Sequence, residues 1–120
     1  MIYTSYFANL KNIPEGYVPV SICGKAPEGY TGLQFKKLAP SYDIFSQYKE
    51  TGDRAQYSER YIREILGNLD PHKIINELYT LSNTQNVVLV CYEGKGKFCH
   101  RHLVAGWLQK AGYMVGEYDG

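Results

Sequence analysis

The chain has 120 residues, 44% of them hydrophobic, and its 13 basic and 12 acidic side chains leave a formal net charge of +1. This length suits one folded domain over residues 1–120, and the hydrophobic fraction excludes an intrinsically disordered chain. Because the charges are balanced, the chain has no general electrostatic attraction to membranes or nucleic acid. The composition therefore allows nucleic-acid binding but does not indicate it.

Hydrophobic periodicity and turn residues divide the chain into strands and helices. Two strands come first, over residues 2–6 and 17–22, and a loop follows over residues 24–32. Three helices are then predicted, over residues 43–49, over residues 58–66 and from Asp70-Pro71 onwards, since Ser41, Gly52, Gly67 and Asp70 supply start and stop signals. A strand over 87–91, a helix over 100–110 and a strand over 113–117 complete the chain.

The run Val87–Cys91 is apolar on both faces of a strand. Such runs are typical of central parallel strands that are covered on both sides. The sequence therefore predicts a small Rossmann-like three-layer α/β domain, with a mostly parallel sheet and helices on both faces. Ligands of such sheets bind beyond the carboxyl ends of the strands, near helix N-termini.

The cellular compartment can be inferred from three features of the sequence. It has three cysteines, no recognisable secretory signal and no apolar run of about 20 residues. An odd number of cysteines argues against a disulfide framework. We therefore expect a cytoplasmic protein that has no membrane contact and whose three thiols are reduced.

The junction between the predicted central strand and the last helix concentrates reactive side chains. Helical spacing places His100 on the buried face and His102 nearly opposite, towards solvent. His100 is a candidate general acid or base, and Glu93 is a candidate to orient it or to act as a carboxylate base. Cys99 is a candidate nucleophile at a helix N-terminus. Arg101, with the backbone N–H groups of the first turn, is a candidate anion-binding group.

Each of these residues also has a structural interpretation. His100 is then a hydrogen-bonded core residue, Cys99 an inert packing residue and Glu93 a helix cap. Cys91, Cys99, His100 and His102 are all zinc-type ligands. Their spacing does not match common zinc motifs and the two histidines diverge on the helix, so no metal is predicted.

Several segments of the chain resemble the domain-of-unknown-function family DUF488. They are Leu38-Ala39-Pro40-Ser41, the helix around residues 57–61, Cys91-Tyr92-Glu93 and the run Phe98-Cys99-His100-Arg101-His102-Leu103-Val104-Ala105. The resemblance covers about residues 1–117, and Tyr-Thr-Ser-Tyr at residues 3–6 is similar to short members found in phages and gut bacteria. It implies a Rossmann-like fold and a site formed by Glu93, Cys99, His100 and Arg101. It also implies action on nucleotides or nucleic acids.

We expect a nucleotide-type or phosphorylated small ligand at the loop 92–101, with hydrolytic chemistry. Tyr92, Tyr6 and Ser5 are predicted to contact this ligand together with Arg101. The alternative is a non-catalytic protein that sequesters a nucleotide signal or contacts a protein partner. No cofactor and no particular oligomeric state are predicted.

Overall fold

A computed structural model describes residues 1–94 and 96–120. Its centre is a five-stranded sheet in the order β3-β2-β4-β1-β5, in which all the paired strands are parallel. The strands are β1 (Ile2–Tyr6), β2 (Val18–Ser21), β3 (Leu33–Gln34), β4 (Val87–Cys91) and β5 (Val115–Glu117). The predicted α/β fold is confirmed, and β4 is the central strand, as its apolar run indicates.

In the described part of the chain, four α-helices, a π-helical turn and several 3-10 turns connect these strands. The α-helices are α1 (Tyr42–Thr51), α2 (Arg54–Arg60), α3 (Pro71–Ser82) and α4 (His100–Lys110). A π-helical turn, Tyr61–Ile65, and a 3-10 turn, Leu66–Asn68, extend α2. Further 3-10 helices span Phe7–Asn12 and Lys36–Leu38.

Side-chain caps fix where the helices begin. The side chains of Ser41, Asp53 and Asp70 accept hydrogen bonds from the first backbone N–H groups of α1, α2 and α3. Gly52 ends α1 with a φ of 64°, a left-handed conformation that glycine adopts without a steric penalty. The predicted second helix begins too late, at residue 58, because the cap at Asp53 starts it one turn earlier.

The two faces of the sheet are covered in different ways. Val87, Leu89 and Cys91 belong to one hydrophobic cluster with residues from all four α-helices, among them Ile44, Tyr57, Ile75, Leu78, Val104 and Leu108. Val88 and Val90 point to the opposite face because strand side chains alternate, and they are also buried. The 3-10 helix Phe7–Asn12 leads from β1 towards that opposite face, where Asn9 donates a hydrogen bond to the hydroxyl of Ser5.

Tyrosine rings complete the cover of this opposite face. The Tyr3 ring lies 5.6 Å from Tyr17 and 5.9 Å from Tyr118, measured between centroids. A tyrosine packs its ring against apolar neighbours while its hydroxyl stays near water. Several of the chain's many tyrosines therefore serve as the outer layer of a small sheet. In the part of the chain that the structure describes, no helix is both long enough and apolar enough to span a membrane.

Candidate functional site

A cavity lies beyond the carboxyl ends of β2 and β4. It is lined by residues that follow these two strands and by residues of α1 and α2: Cys23, Gly24, Lys25, Pro40, Ser41, Tyr42, Phe45, Tyr48, Lys49, Tyr57, Tyr92, Glu93, Phe98, Cys99 and His100. Its volume of about 770 Å³ falls within the range of small-molecule sites. This is the edge of the sheet where ligands of parallel α/β domains bind.

Three aromatic rings form one wall of the cavity. The Tyr57 ring centroid lies 5.3 Å from Phe98 and 5.1 Å from Tyr48, and Tyr48 lies 5.6 Å from Phe98. The guanidinium of Arg54 sits 5.6 Å from the Phe98 ring centroid. These contacts fix the orientation of the rings and leave an apolar wall suited to a flat ligand.

Glu93 supplies the carboxylate among the described residues that line the cavity. Its side chain is exposed. Burial raises the pKa of Cys23 to about 11, and the charge of Glu93 adds to this increase. The pKa of Tyr57 is also raised, first by burial and then by Glu93. The negative charge of Glu93 therefore acts on Cys23, which follows β2, and on Tyr57 of α2, and both groups stay protonated at neutral pH.

His100 is buried at the inner end of the cavity, which confirms that it points inward. Its Nε2 lies 2.7 Å from the carbonyl oxygen of Ile22, which can only accept, so Nε2 carries the proton. Nδ1 faces the Cys99 sulfur at 3.7 Å. Burial lowers the pKa of His100 to about 4, and the positive charge of Arg101 acts in the same direction. His100 is therefore neutral at pH 7, with Nδ1 as an acceptor.

His102 occupies the opposite side of the same helical turn. It is exposed, as helical spacing predicts, and its Nε2 lies 3.2 Å from the carbonyl oxygen of Lys97. Lys95, in the predicted ligand loop 92–101, lies outside the described residues.

Cys91 and Cys99 form a disulfide, whereas Cys23 is free and buried. The prediction of three reduced thiols is therefore wrong for this structure. The loop between β4 and α4 turns back on itself and brings the two Cα atoms to 7.3 Å, which spacing along the sequence does not reveal. In the disulfide Cys99 has no thiol, so its predicted role as a nucleophile applies to the reduced protein only.

Arg101 is completely buried on the side of α4 that faces β5. Its Nε and Nη2 donate to the Glu117 carboxylate, at 3.1 and 2.9 Å. Nη1 donates to the Cys91 sulfur at 3.1 Å and to the carbonyl of Glu93, and Nη2 donates to the carbonyl of Gly94 at 3.2 Å. These contacts engage all five guanidinium N–H groups. Arg101 is not among the described residues that line the cavity.

Of the other predicted ligand-contacting residues, Tyr92 lines the cavity, whereas Tyr6 and Ser5 do not. Tyr92 lines the cavity, is 50% exposed and donates its hydroxyl hydrogen to the carbonyl of Lys25 at 2.7 Å. Tyr6 instead lies against Arg101, 5.5 Å from ring centroid to guanidinium carbon. Ser5 is buried on the opposite face of the sheet, where it donates to the carbonyl of Tyr118 at 2.6 Å. Neither Ser5 nor Tyr6 is among the described cavity residues.

The aromatic wall lies outside the site that the sequence predicts, since Tyr48, Tyr57 and Phe98 are not among its candidate residues. Aromatic residues on or beside a helix are equally typical of a ligand site and of a hydrophobic core. Only the approach of α1 and α2 to the loop after β4 distinguishes the two.

The chain is thus a parallel α/β domain with a cavity at the carboxyl edge of its sheet, where Glu93, the buried His100 and three aromatic rings meet. The family model described as the active DUF488-N3 subclade, DUF488-N3a, matches residues 13–112. The chain therefore belongs to the DUF488 family, and the resemblance seen in its motifs is confirmed. No curated protein and no solved structure matches the chain significantly.

Proposed function

We propose that this protein binds a nucleotide-type small molecule in the cavity and hydrolyses it, with Glu93 as the catalytic carboxylate. The observation that carries this proposal is the combination, in one cavity of about 770 Å³, of an aromatic wall and an exposed carboxylate. Ligand sites of this size are mostly apolar and contain few polar groups, which fix orientation and chemistry.

The aromatic wall supports recognition of a base. A nucleobase is flat, and stacking on an aromatic side chain stabilises its binding by about 1–3 kcal/mol. Tyr48, Tyr57 and Phe98 offer such surfaces. Lys25 and Lys49 also line the cavity and are exposed, so their ammonium groups are available to the phosphates of a nucleotide.

Glu93 supports hydrolysis because a carboxylate in a partly apolar cavity can accept a proton from water. The oxygen of the attacking water forms a bond to the ligand while the bond between the ligand and its departing group breaks. The protonated Glu93 then returns the proton to the departing group. A cytoplasmic setting, where nucleotides are dissolved, belongs to the same proposal.

One observation favours the alternative of a non-catalytic binding protein. His100, with a pKa lowered to about 4, carries no extra proton at neutral pH, and Ile22 accepts its one N–H hydrogen. Glu93 therefore lacks a protonated histidine as an acid partner. In the alternative, the aromatic wall sequesters the ligand and Glu93 only orients it.

The experiment compares wild-type protein, Glu93→Gln and, as a matched control, Glu15→Gln, an exposed glutamate not among the described cavity residues. Each protein is incubated with nucleosides, nucleoside mono-, di- and triphosphates and NAD. Calorimetry measures binding and liquid chromatography with mass spectrometry measures products.

We expect binding by all three proteins and product from wild type and Glu15→Gln, with turnover by Glu93→Gln reduced at least about 100-fold. Tight binding without product from wild type supports the binding-only alternative. Absence of binding to every member of the panel contradicts both functions.

A further inference from the structure

Three potential soft-metal ligands converge behind the cavity. The sulfurs of Cys91 and Cys99 and a ring nitrogen of His100 all lie within 4.8 Å of one another, and all three residues are buried. His102, the fourth zinc-type ligand in this part of the sequence, is exposed and does not belong to this group. Thiolate and imidazole groups in one place are the donor set that zinc prefers.

The hydrogen bonds around these ligands match those of a metal site. A metal-binding histidine typically donates its second N–H to a backbone carbonyl, which fixes the ring and the tautomer. His100 does this through Nε2 to Ile22 at 2.7 Å, so that its Nδ1 lone pair faces Cys99. Arg101 Nη1, 3.1 Å from the Cys91 sulfur, is a donor that favours a thiolate there.

The backbone spacing also suits two sulfurs that share an ion. The Cα atoms of Cys91 and Cys99 are 7.3 Å apart, wider than the roughly 4.4–6.8 Å that is usual for a disulfide. Two sulfurs bound to one tetrahedral zinc by bonds of about 2.3 Å lie roughly 3.8 Å apart. Reduction of the disulfide frees the two sulfurs to move apart towards that separation.

We propose that the reduced protein binds one thiophilic divalent ion of the zinc class through Cys91 Sγ, Cys99 Sγ and His100 Nδ1. A cellular dithiol reduces the disulfide by two electrons, and the two cysteine sulfurs take up two protons while the dithiol becomes a disulfide. Binding of the ion then displaces these two protons. Three protein ligands leave one position open. Cys99 and His100 line the cavity, so the open position lies at its inner end.

Cobalt titration tests this site without any substrate, and therefore independently of the proposed function. The full-length protein is reduced with a phosphine, freed of metal with a chelator and titrated with Co²⁺. We expect thiolate-to-cobalt charge-transfer absorbance and the intense visible bands of tetrahedral cobalt, saturating at one ion per chain. Zinc should then displace the cobalt, and native mass spectrometry should show one bound zinc.

Matched variants assign the ligands. Cys99→Ser and His100→Ala should weaken cobalt binding by at least about 100-fold. Cys23→Ser and His102→Gln should titrate like wild type, because neither residue belongs to the three-ligand group. Disulfide-intact protein should take up no cobalt.

Two results overturn the proposal. One is reduced wild-type protein that shows no charge-transfer band and binds no zinc. The other is a folded Cys99→Ser variant that binds cobalt as tightly as Cys23→Ser. If the ligand variants fail to fold by circular dichroism, the wild-type titration alone decides.

Discussion

His100 and Arg101 are neighbours in the first turn of α4, yet they belong to two different environments. His100 lies at the end of an open cavity, where Glu93 and the aromatic rings of Tyr57 and Phe98 surround free space. Arg101 is enclosed, with its five N–H groups donated to protein acceptors that include Glu117. A rotation of about 100° along the helix separates a site that can take a ligand from one that is already filled.

The difference shows that a charged residue in a family motif can have all its hydrogen-bond donors engaged by the protein itself. Arg101 connects β4, β5 and the loop that carries Glu93, since it contacts Cys91, Glu117 and the Glu93 carbonyl. Its role is to position that loop. The cavity, by contrast, leaves the Glu93 carboxylate exposed.

The largest expected effect is a loss of stability when Arg101, on the enclosed side of α4, is replaced. Arg101→Met removes a buried guanidinium, deprives the carbonyl groups of Glu93 and Gly94 of this donor, and leaves the Glu117 carboxylate with the Thr4 hydroxyl but without its cation. We expect the free energy of unfolding to fall by about 3 kcal/mol or more, measured by urea denaturation. Ligand affinity of the folded variant should fall less than on loss of a cavity ring, because Arg101 is not among the described cavity residues and acts on the cavity only through the loop that carries Glu93.

Arg63→Met is the control for this prediction. Arg63 pairs with Glu59 on the surface, where solvent screens the charges, so its loss should lower stability far less than the loss of Arg101. Equal losses of stability in the two variants would show that the Arg101 cluster is not a structural centre. A selective loss of ligand binding in Arg101→Met would place the ligand on the enclosed side.

The next effect is a pH dependence that comes from His100. Its pKa in the folded protein is lowered to about 4, from an ordinary value of 6.5, because burial disfavours the charged ring. The unfolded chain therefore binds the proton first as pH falls. Stability is complete above pH 6.5 and decreases towards pH 4, by an amount on the order of 3 kcal/mol.

Denaturation of disulfide-intact, metal-free protein at several pH values measures this decrease. In His100→Gln the amide can still donate to Ile22, but it does not titrate. Its stability should therefore vary less over the same window. Identical pH profiles for the variant and wild type would mean that His100 does not have a depressed pKa.

A smaller effect is expected on the open side, in ligand affinity. Phe98→Ala removes the ring that contacts both Tyr48 and Tyr57, and a lost base-stacking surface costs about 1–3 kcal/mol of binding. Calorimetry with the nucleotide found in the panel measures it. Phe98→Tyr keeps the ring and should bind like wild type. Unchanged affinity in Phe98→Ala would exclude stacking on this wall.

The smallest effect concerns thiol reactivity and leaves the fold unchanged. Cys23 is buried and its pKa is raised to about 11, so at pH 8 only about one molecule in a thousand carries the thiolate. We expect native, unreduced protein to react very slowly with a thiol reagent, and denatured protein to show one thiol. Three thiols without reductant would contradict the Cys91–Cys99 disulfide.

The parts of this fold that could be predicted are those that local pattern determines. The apolar run of β4 indicated a central strand, and helical spacing correctly turned His100 inward and His102 outward. Strand β3 was missed because two residues, Leu33 and Gln34, are too few to show periodicity.

The arrangement of the candidate site could not be predicted in this way, because it depends on contacts between segments that are distant in the sequence. Glu117 meets Arg101 because β5 lies beside β1, and that order of strands is not visible in any one segment. Cys91 meets Cys99 because a loop folds back. Periodicity reports which face of an element a residue occupies, but not which residue of another element lies opposite. For this reason the sequence placed the Arg101 guanidinium in one site with Glu93 and His100. In the structure it contacts Glu117 and the Glu93 backbone carbonyl, and it is not among the described cavity residues.

A crystal structure of the protein soaked with the nucleotide panel tests the division between the open and enclosed sides most directly. We predict that a ligand occupies the cavity, with its base against Phe98 and Tyr57 and its reacting end near Glu93, while Arg101 keeps its bonds to Glu117. A ligand bound at Arg101 in place of Glu117, with the cavity empty, would contradict this assignment.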